Sequence, residues 1–296
     1  MSVQELAQFR AQHKRASQEV FEKGIVIFQK NGHKRMGDEG WDFLEQLALA
    51  AIETGRLDVA DRCLEQLTGK FPGSPRVDCL AGIRLEASES AETALKYYGE
   101  LLETDPTNAA IWKRRISVLR RMGQVEKAVS ELSQYLDMFY TDVEGWLELA
   151  DIYTSCNQHE YSLKSLSHTL LLSPQNPIYV LQSAETAYTA GDLPLALKMF
   201  LMVVDMTDGD DSESLAESTP FGITVRAWYG VKLCTRRMSQ DPRLVTMSAS
   251  STPPPKHMDL LNELATERLR VAYSSAGKKG AIAQGREVVF AWVAST

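Results

Sequence analysis

The 296-residue chain has no long apolar run. Its clearest ones, Met199 to Val204 and Val288 to Val293, are far short of the about 20 residues that cross a bilayer as a helix. No segment is therefore expected to span a membrane. The opening MSVQELAQFRAQHKRAS lacks the apolar core of a secretory signal. Ser2 stands where myristoylation needs glycine, and no cysteine near the C-terminus offers a prenylation site. Basic excess is also missing: the net charge is −7, which speaks against general nucleic-acid binding, a function that needs a cationic surface. Cysteine is sparse. Cys63, Cys79, Cys156 and Cys234 form no C-x-x-C pair, so neither a zinc site nor a disulfide framework is suggested; they read as buried thiols in a reducing compartment.

Catalytic constellations are missing too. His13, His33, His159, His168 and His257 form no H-x-x-H or H-E-x-x-H set. The glycines and lysines of Ser275–Gly285 lack the spacing of a phosphate loop. Asp208, Asp210 and Ser212 start like a calcium loop, but Glu213 and Thr219 replace the required glycine and glutamate. No catalytic residue, metal ligand or cofactor is assigned, and the chain is read as a non-enzyme.

What is present is a repeat. Windows of 34 residues abut from Trp41 to Asp210: Trp41–Ser74, Pro75–Asn108, Ala109–Asp142, Val143–Asn176 and Pro177–Asp210. Position 8 of each holds Ala48, Gly82, Ile116, Ala150 and Ala184; position 20 holds Ala60, Ala94, Ala128, Ser162 and Ala196. Position 24 holds Leu64, Tyr98, Leu132, Leu166 and Phe200. Apolar residues at 4, 7, 8 and 11 form one helical stripe, and those at 20, 24, 27 and 28 form a second. Small residues at 8 and 20 let two helices approach closely. Gly55, Gly123, Asn157 and Gly191 at position 15 suit the left-handed end of the first helix. Pro72, Pro106 and Pro174 at position 32 close the second.

This is the tetratricopeptide pattern. The expected fold is all-α: a tetratricopeptide-repeat superhelical solenoid with about five tandem 34-residue helix–turn–helix repeats plus flanking helices. Residues 1–40 are expected to form a capping helix and a loop, and 41–210 the five repeats. An acidic loop (207–220), a post-repeat helix (221–240), a Pro/Ser-rich linker (241–257), an amphipathic helix (258–276) and a tail (277–296) follow. Leu261, Leu264, Leu269 and Ala272 share one face of the amphipathic helix. Arg115 at position 7, and the bulky Leu67, Leu101, Tyr135 and Val203 at position 27, mark the repeats as degenerate. Trp112, Trp146 and Tyr153 fall on packing positions.

In this repeat geometry, positions 2, 5, 9 and 12 of the first helices line a concave groove. They place Lys113, Ser117 and Arg120, then Glu144, Leu147, Asp151 and Thr154, then Ile178, Leu181, Glu185 and Tyr188 there as candidate partner-binding residues. The mixture suits a peptide segment better than a small polar substrate. Arg114, Arg115 and Arg121 join Lys113 and Arg120 in a basic third repeat, read either as a solvated face or as a patch for an acidic segment.

Three stretches go beyond the generic repeat: Tyr97–Leu119, Glu131–Tyr153 and Ala184–Phe200. They carry D-P-T-N (Asp105–Asn108) with a Lys113–Arg114 pair, and the run Tyr135, Leu136, Phe139, Asp142, Glu144, Trp146 and Glu148–Ala150. Ala184, Glu185, Tyr188, Thr189 and Gly191 follow. In these the sequence resembles subunit 2 of the endoplasmic reticulum membrane protein complex, over about two-thirds of its length. The resemblance implies a non-enzymatic scaffold, peripheral on the cytosolic face of that membrane and attached through partners only. It implies contacts with other subunits of the complex, notably subunits 3, 5 and 8/9, in the insertion of tail-anchored and multi-pass proteins. An alternative is a tetratricopeptide co-chaperone or other peptide-binding adaptor. Lys113 fits the carboxylate clamp of such co-chaperones, but Ser117, Glu148, Ile178 and Gln182 do not. A half-a-TPR protein of RNA processing fits less well, because the period stays at 34 with small residues at 8 and 20.

Overall fold

The computed structural model describes residues 2–12, 14–207, 219–246, 248–253, 255–274 and 285–294. Most of the expected acidic loop, and the Ser275–Gly285 stretch apart from Gly285, lie outside them. Every regular element among the described residues is helical, and the chain divides into two compact units, Met1–Phe139 and Tyr140–Thr296.

The first unit holds α1 (Ser2–Ala11), α2 (Ser17–Gln29), a 3-10 turn (Gly32–Arg35) and three hairpins: α3 (Glu39–Glu53) with α4 (Leu57–Lys70), α5 (Pro75–Ser88) with α6 (Ala91–Thr104), and α7 (Ala109–Arg121) with α8 (Val125–Met138). The second holds α9 (Val143–Ser155) with α10 (His159–Leu172), and α11 (Pro177–Ala190) with α12 (Leu193–Thr207). α13 (Ile223–Gln240), the short α14 (Arg243–Thr246), α15 (Met258–Ser274) and α16 (Arg286–Ala294) complete it.

The hairpins follow from the spacing. All five residues at position 20 are wholly buried, and all five at position 8 are buried, so each pair of helices closes over these positions, all of them small residues except Ile116. Gly55, Asn157, Gly123 and Gly191 have φ of 75°, 58°, 71° and 87°, the left-handed conformation that ends a helix at low cost for glycine or asparagine. Glu89 instead is extended, and Ser90 caps α6 by accepting from the Thr93 N–H. α4, α6 and α10 stop two residues before Pro72, Pro106 and Pro174, because the residue preceding a proline avoids helical backbone.

The flanks differ from expectation. One helix over 2–30 is replaced by two. The Lys14 N–H returns to the Phe9 carbonyl (2.9 Å), Arg15 pairs with Glu53 (3.0 Å), and the Ser17 hydroxyl bonds the same carboxylate, which turns the chain back. Leu6 of α1 and Val20, Phe21 and Phe28 of α2 thereby join the core of Phe43, Leu44 and Leu47. The linker contains α14 and the tail contains α16. On α15 the inward face is Ala265, Arg268 and Leu269, while Leu264 points outward, against expectation. α13 packs on both α12 and α15, as the first helix of a sixth hairpin would. Gly230 permits this, since a Cβ there would lie 2.4 Å from the Phe200 ring.

Cys63 and Cys234 are buried thiols that burial pushes up to about 12; Cys79 is half-buried. Cys156 departs from the expectation: it caps the C-terminus of α9 and is exposed.

His33 is buried between Phe28 and Phe43, with ring centroids 5.3 and 6.5 Å away. Its Nε2–H donates to Gln66 Oε1 (3.0 Å), which leaves Nδ1 unprotonated and, among the described residues, without a hydrogen-bond partner. Burial lowers its pKa; the Gln66 bond opposes this and the Lys34 charge adds to it. The unfolded chain therefore binds a proton that the folded chain refuses. Stability is complete above about pH 6.5 and falls as the solution is acidified towards the lower folded value. His33→Phe is expected to flatten the slope of melting temperature against pH between about 7 and 5. An unchanged slope would assign that pH dependence to other groups.

Candidate partner-binding surfaces

The third repeat's basic helix is largely tied down within its own unit. Arg114 and Arg121 converge on Glu86, at 3.1 and 2.6 Å. The Glu86 side chain is only 5% exposed and also accepts from the Tyr98 hydroxyl (2.6 Å). Arg115, at a position where leucine is usual, bridges α7 to α8 through Glu131 (2.9 Å). Burial raises the Glu131 pKa, and the Arg115 charge and hydrogen bond oppose it. A charged pair thus replaces an apolar contact inside the hairpin. The basic run is neither a purely solvated face nor a five-charge patch. Lys113, Ser117 and Arg120 are half-buried on the same helix, with Lys113 Nζ 5.9 Å from the Tyr135 ring centre.

In the second unit, Glu144 and Asp151 are exposed on α9, and Leu147 is half-buried. Thr154 is half-buried at the helix seam: its hydroxyl lies 2.9 Å from the Ala150 carbonyl and 2.8 Å from the Ser162 hydroxyl. On α11, Ile178 is 56% exposed, but Leu181 is 4% exposed and belongs to the core. Leu181 therefore offers no surface, a correction that follows from its packing with α12 and α13 residues. Glu185 pairs with Arg226 (2.9 Å) and Tyr188 lies beneath Arg237 (5.6 Å), so α13 engages that end of α11.

Two features were not read from the sequence. Trp112 and Trp146 are only half-buried. Each donates its indole N–H to a carbonyl six residues back, Pro106 and Tyr140, both at 2.9 Å. They therefore join each repeat's start to the turn before it. In the first unit, Trp41, Asp42, Glu45, Leu67, Phe71, Arg76 and Leu80 contribute to a cavity of about 190 Å³. The signal was there: Asp42 and Glu45 hold positions 2 and 5 of the first window, and Arg76 position 2 of the second.

Among the described residues no helix is long and apolar enough to cross a membrane, and no group of three or more His, Cys, Asp or Glu residues could hold a metal ion. Paired helices with small residues at 8 and 20 and left-handed turns between them define a tetratricopeptide-repeat protein. The same architecture occurs in the C-terminal part of a TPR repeat-containing protein from Cytophaga hutchinsonii. That structure matches with a TM-score of 0.55 at 13% identity, over 88% of this chain and 97% of the other. The family profile described as the EMC2 TPR-like repeat domain matches residues 72–202. ER membrane protein complex subunit 2 of Xenopus tropicalis is 32% identical over 273 residues, 91% of this chain and 85% of that protein. TPR repeat protein oca3 of Schizosaccharomyces pombe is 39% identical over 157 residues, 52% of this chain and 56% of that one. The chain belongs to the family of ER membrane protein complex subunit 2.

Proposed function

We propose that this chain is a non-enzymatic scaffold on the cytosolic face of the endoplasmic reticulum membrane, held there through the membrane subunits it joins. The observation that carries the reading is the 32% identity with the Xenopus tropicalis subunit along 91% of the chain. The partners are other subunits of the complex, notably 3, 5 and 8/9, and the process served is membrane-protein insertion. Bond chemistry has no part in it; each hairpin holds a rigid helical face towards a segment of a partner. The α7 face and the exposed positions of α9 and α11 are the proposed contacts, and the Trp41–Phe71 cavity has room for one apolar side chain of a peptide. Open repeat arrays rest on nearest-neighbour contacts, so bound partners add stability by mass action.

The test is affinity purification of the tagged chain from detergent-solubilised membranes. A stoichiometric set of multi-span membrane subunits is expected to accompany it; recovery of cytosolic chaperones alone would overturn the reading. Lys113→Glu with Arg120→Glu is expected to reduce partner recovery about tenfold or more, on the scale of one disrupted charged contact at an interface. Circular dichroism must show that the variant is folded. Undiminished recovery would remove the α7 face from the contact set.

A further inference from the structure

Asp192 fastens the Pro/Ser-rich linker to the fifth hairpin by hydrogen bonds, beside the apolar packing of Leu244 and Val245 on the same core. Asp192 is 5% exposed, in the turn between α11 and α12. Its Oδ1 accepts from the Ser248 hydroxyl (2.8 Å) and from the Leu195 N–H (3.2 Å). Its Oδ2 accepts from the Ser250 N–H (2.9 Å). Thr252 extends the ladder: its N–H donates to Ser248 Oγ (3.3 Å), and its hydroxyl lies 2.7 Å from that of Ser250. Thr252 is half-buried, while Ser250, Ser251 and Pro253 are exposed. Outside helices, a threonine followed by proline has the extended backbone that the proline enforces. It is also the acceptor pattern of proline-directed protein kinases.

We propose that Thr252 is a phosphorylation site for a proline-directed protein kinase, and that its phosphate unfastens the linker from Asp192. In the transfer, Thr252 Oγ1 forms a new bond to the γ-phosphorus of magnesium-bound ATP. The bond from that phosphorus to the β–γ bridging oxygen breaks and ADP leaves, and the hydroxyl proton passes to the kinase's catalytic carboxylate. The product carries about −1.5 to −2 charges one hydroxyl away from a backbone N–H that is itself bonded to a buried carboxylate. Both Asp192 oxygens already have donors, so the phosphate finds repulsion there. Lys198 lines the same cavity as Thr252 and Pro253 but is exposed. A pair with it would be screened by solvent and weak.

The full chain is incubated with a mitogen-activated type of proline-directed kinase and ATP, and the product is mapped by mass spectrometry and amide hydrogen exchange. One phosphate at Thr252 is expected, absent from Thr252→Ala, with exchange across residues 248–253 at least about tenfold faster, the scale of losing a hydrogen bond to a charged group. Asp192→Asn, which opens the same fastening without a phosphate, is expected to speed that exchange likewise and to be phosphorylated faster. Phosphate at other residues only, or none at all, overturns the site. Phosphate at Thr252 with unchanged or slower exchange overturns the unfastening and points to capture by Lys198.

Discussion

Gly82→Ala is expected to destabilise the first unit by about 2 kcal/mol or more, although alanine is the better helix former by about 1 kcal/mol. Gly82 lies inside α5, and a Cβ there would stand 2.2 Å from Tyr98 Cε1 and 2.7 Å from its Cζ and Oη. Cε1 and Cζ are ring atoms of a wholly buried side chain, so the clash cannot be relieved by a flexible tip. The ring is also pinned at its far end, where the hydroxyl donates to Glu86. The helices must part or the ring must leave its rotamer, and both loosen the hairpin. Gly99→Ala on α6 is the control. A Cβ there meets nothing closer than Arg115 Nη1 at 3.7 Å, so it should raise stability by about 0.5–1 kcal/mol. Thermal or denaturant melting of the three proteins checks this. Equal effects at the two glycines would mean that Tyr98 yields.

The same glycine shows how far the sequence reached. Gly82 and Tyr98 sit at positions 8 and 24, columns visible from the 34-residue spacing alone. Spacing gives each helix its buried stripe, because period 3.6 and a fixed turn length leave little choice. It does not give the contact of one ring with one backbone, which depends on the tilt of two particular helices. Hence Gly230, which faces Phe200 of the preceding hairpin, was just a helix residue in the sequence. Membership of the family was legible through residues that packing does not require, such as Asp142, Glu144 and the Asp105–Asn108 turn. The Asn108 side chain caps α7 by accepting from the Ile111 N–H, and Asp105 accepts from the Thr107 N–H. Repeat position alone does not fix which side chains reach the surface. Leu181 holds a groove position in the repeat register, yet its packing with α12 and α13 residues buries it.

Glu86→Ala should cost the first unit about 3 kcal/mol, at the low end for removing one member of a buried ion pair. Position 12 of the second window gave no warning of this, since Glu86 looks like any polar residue on a helix. Its carboxylate receives the Tyr98 hydroxyl, Arg114 and Arg121, and so joins α5, α6 and α7. Truncation leaves the Tyr98 hydroxyl unsatisfied in the core and the Arg114 guanidinium, one-third exposed, without this carboxylate. Arg121 is more than half exposed and regains water, so its share is small. Glu86→Gln keeps one acceptor and the side-chain volume, and should lose about half as much. The decisive variant is Glu86→Leu with Arg114→Met and Tyr98→Phe, which removes the charges and the hydroxyl together. If the loss in Glu86→Ala comes from stranded polar groups, this triple variant recovers most of it, because an apolar replacement of a buried ion pair is close to neutral. If the triple variant melts as early as Glu86→Ala, the carboxylate's own bonds hold the hairpins together. Partner recovery from membranes should then fall with Glu86 itself, since α7 would lose its seat on α5 and α6.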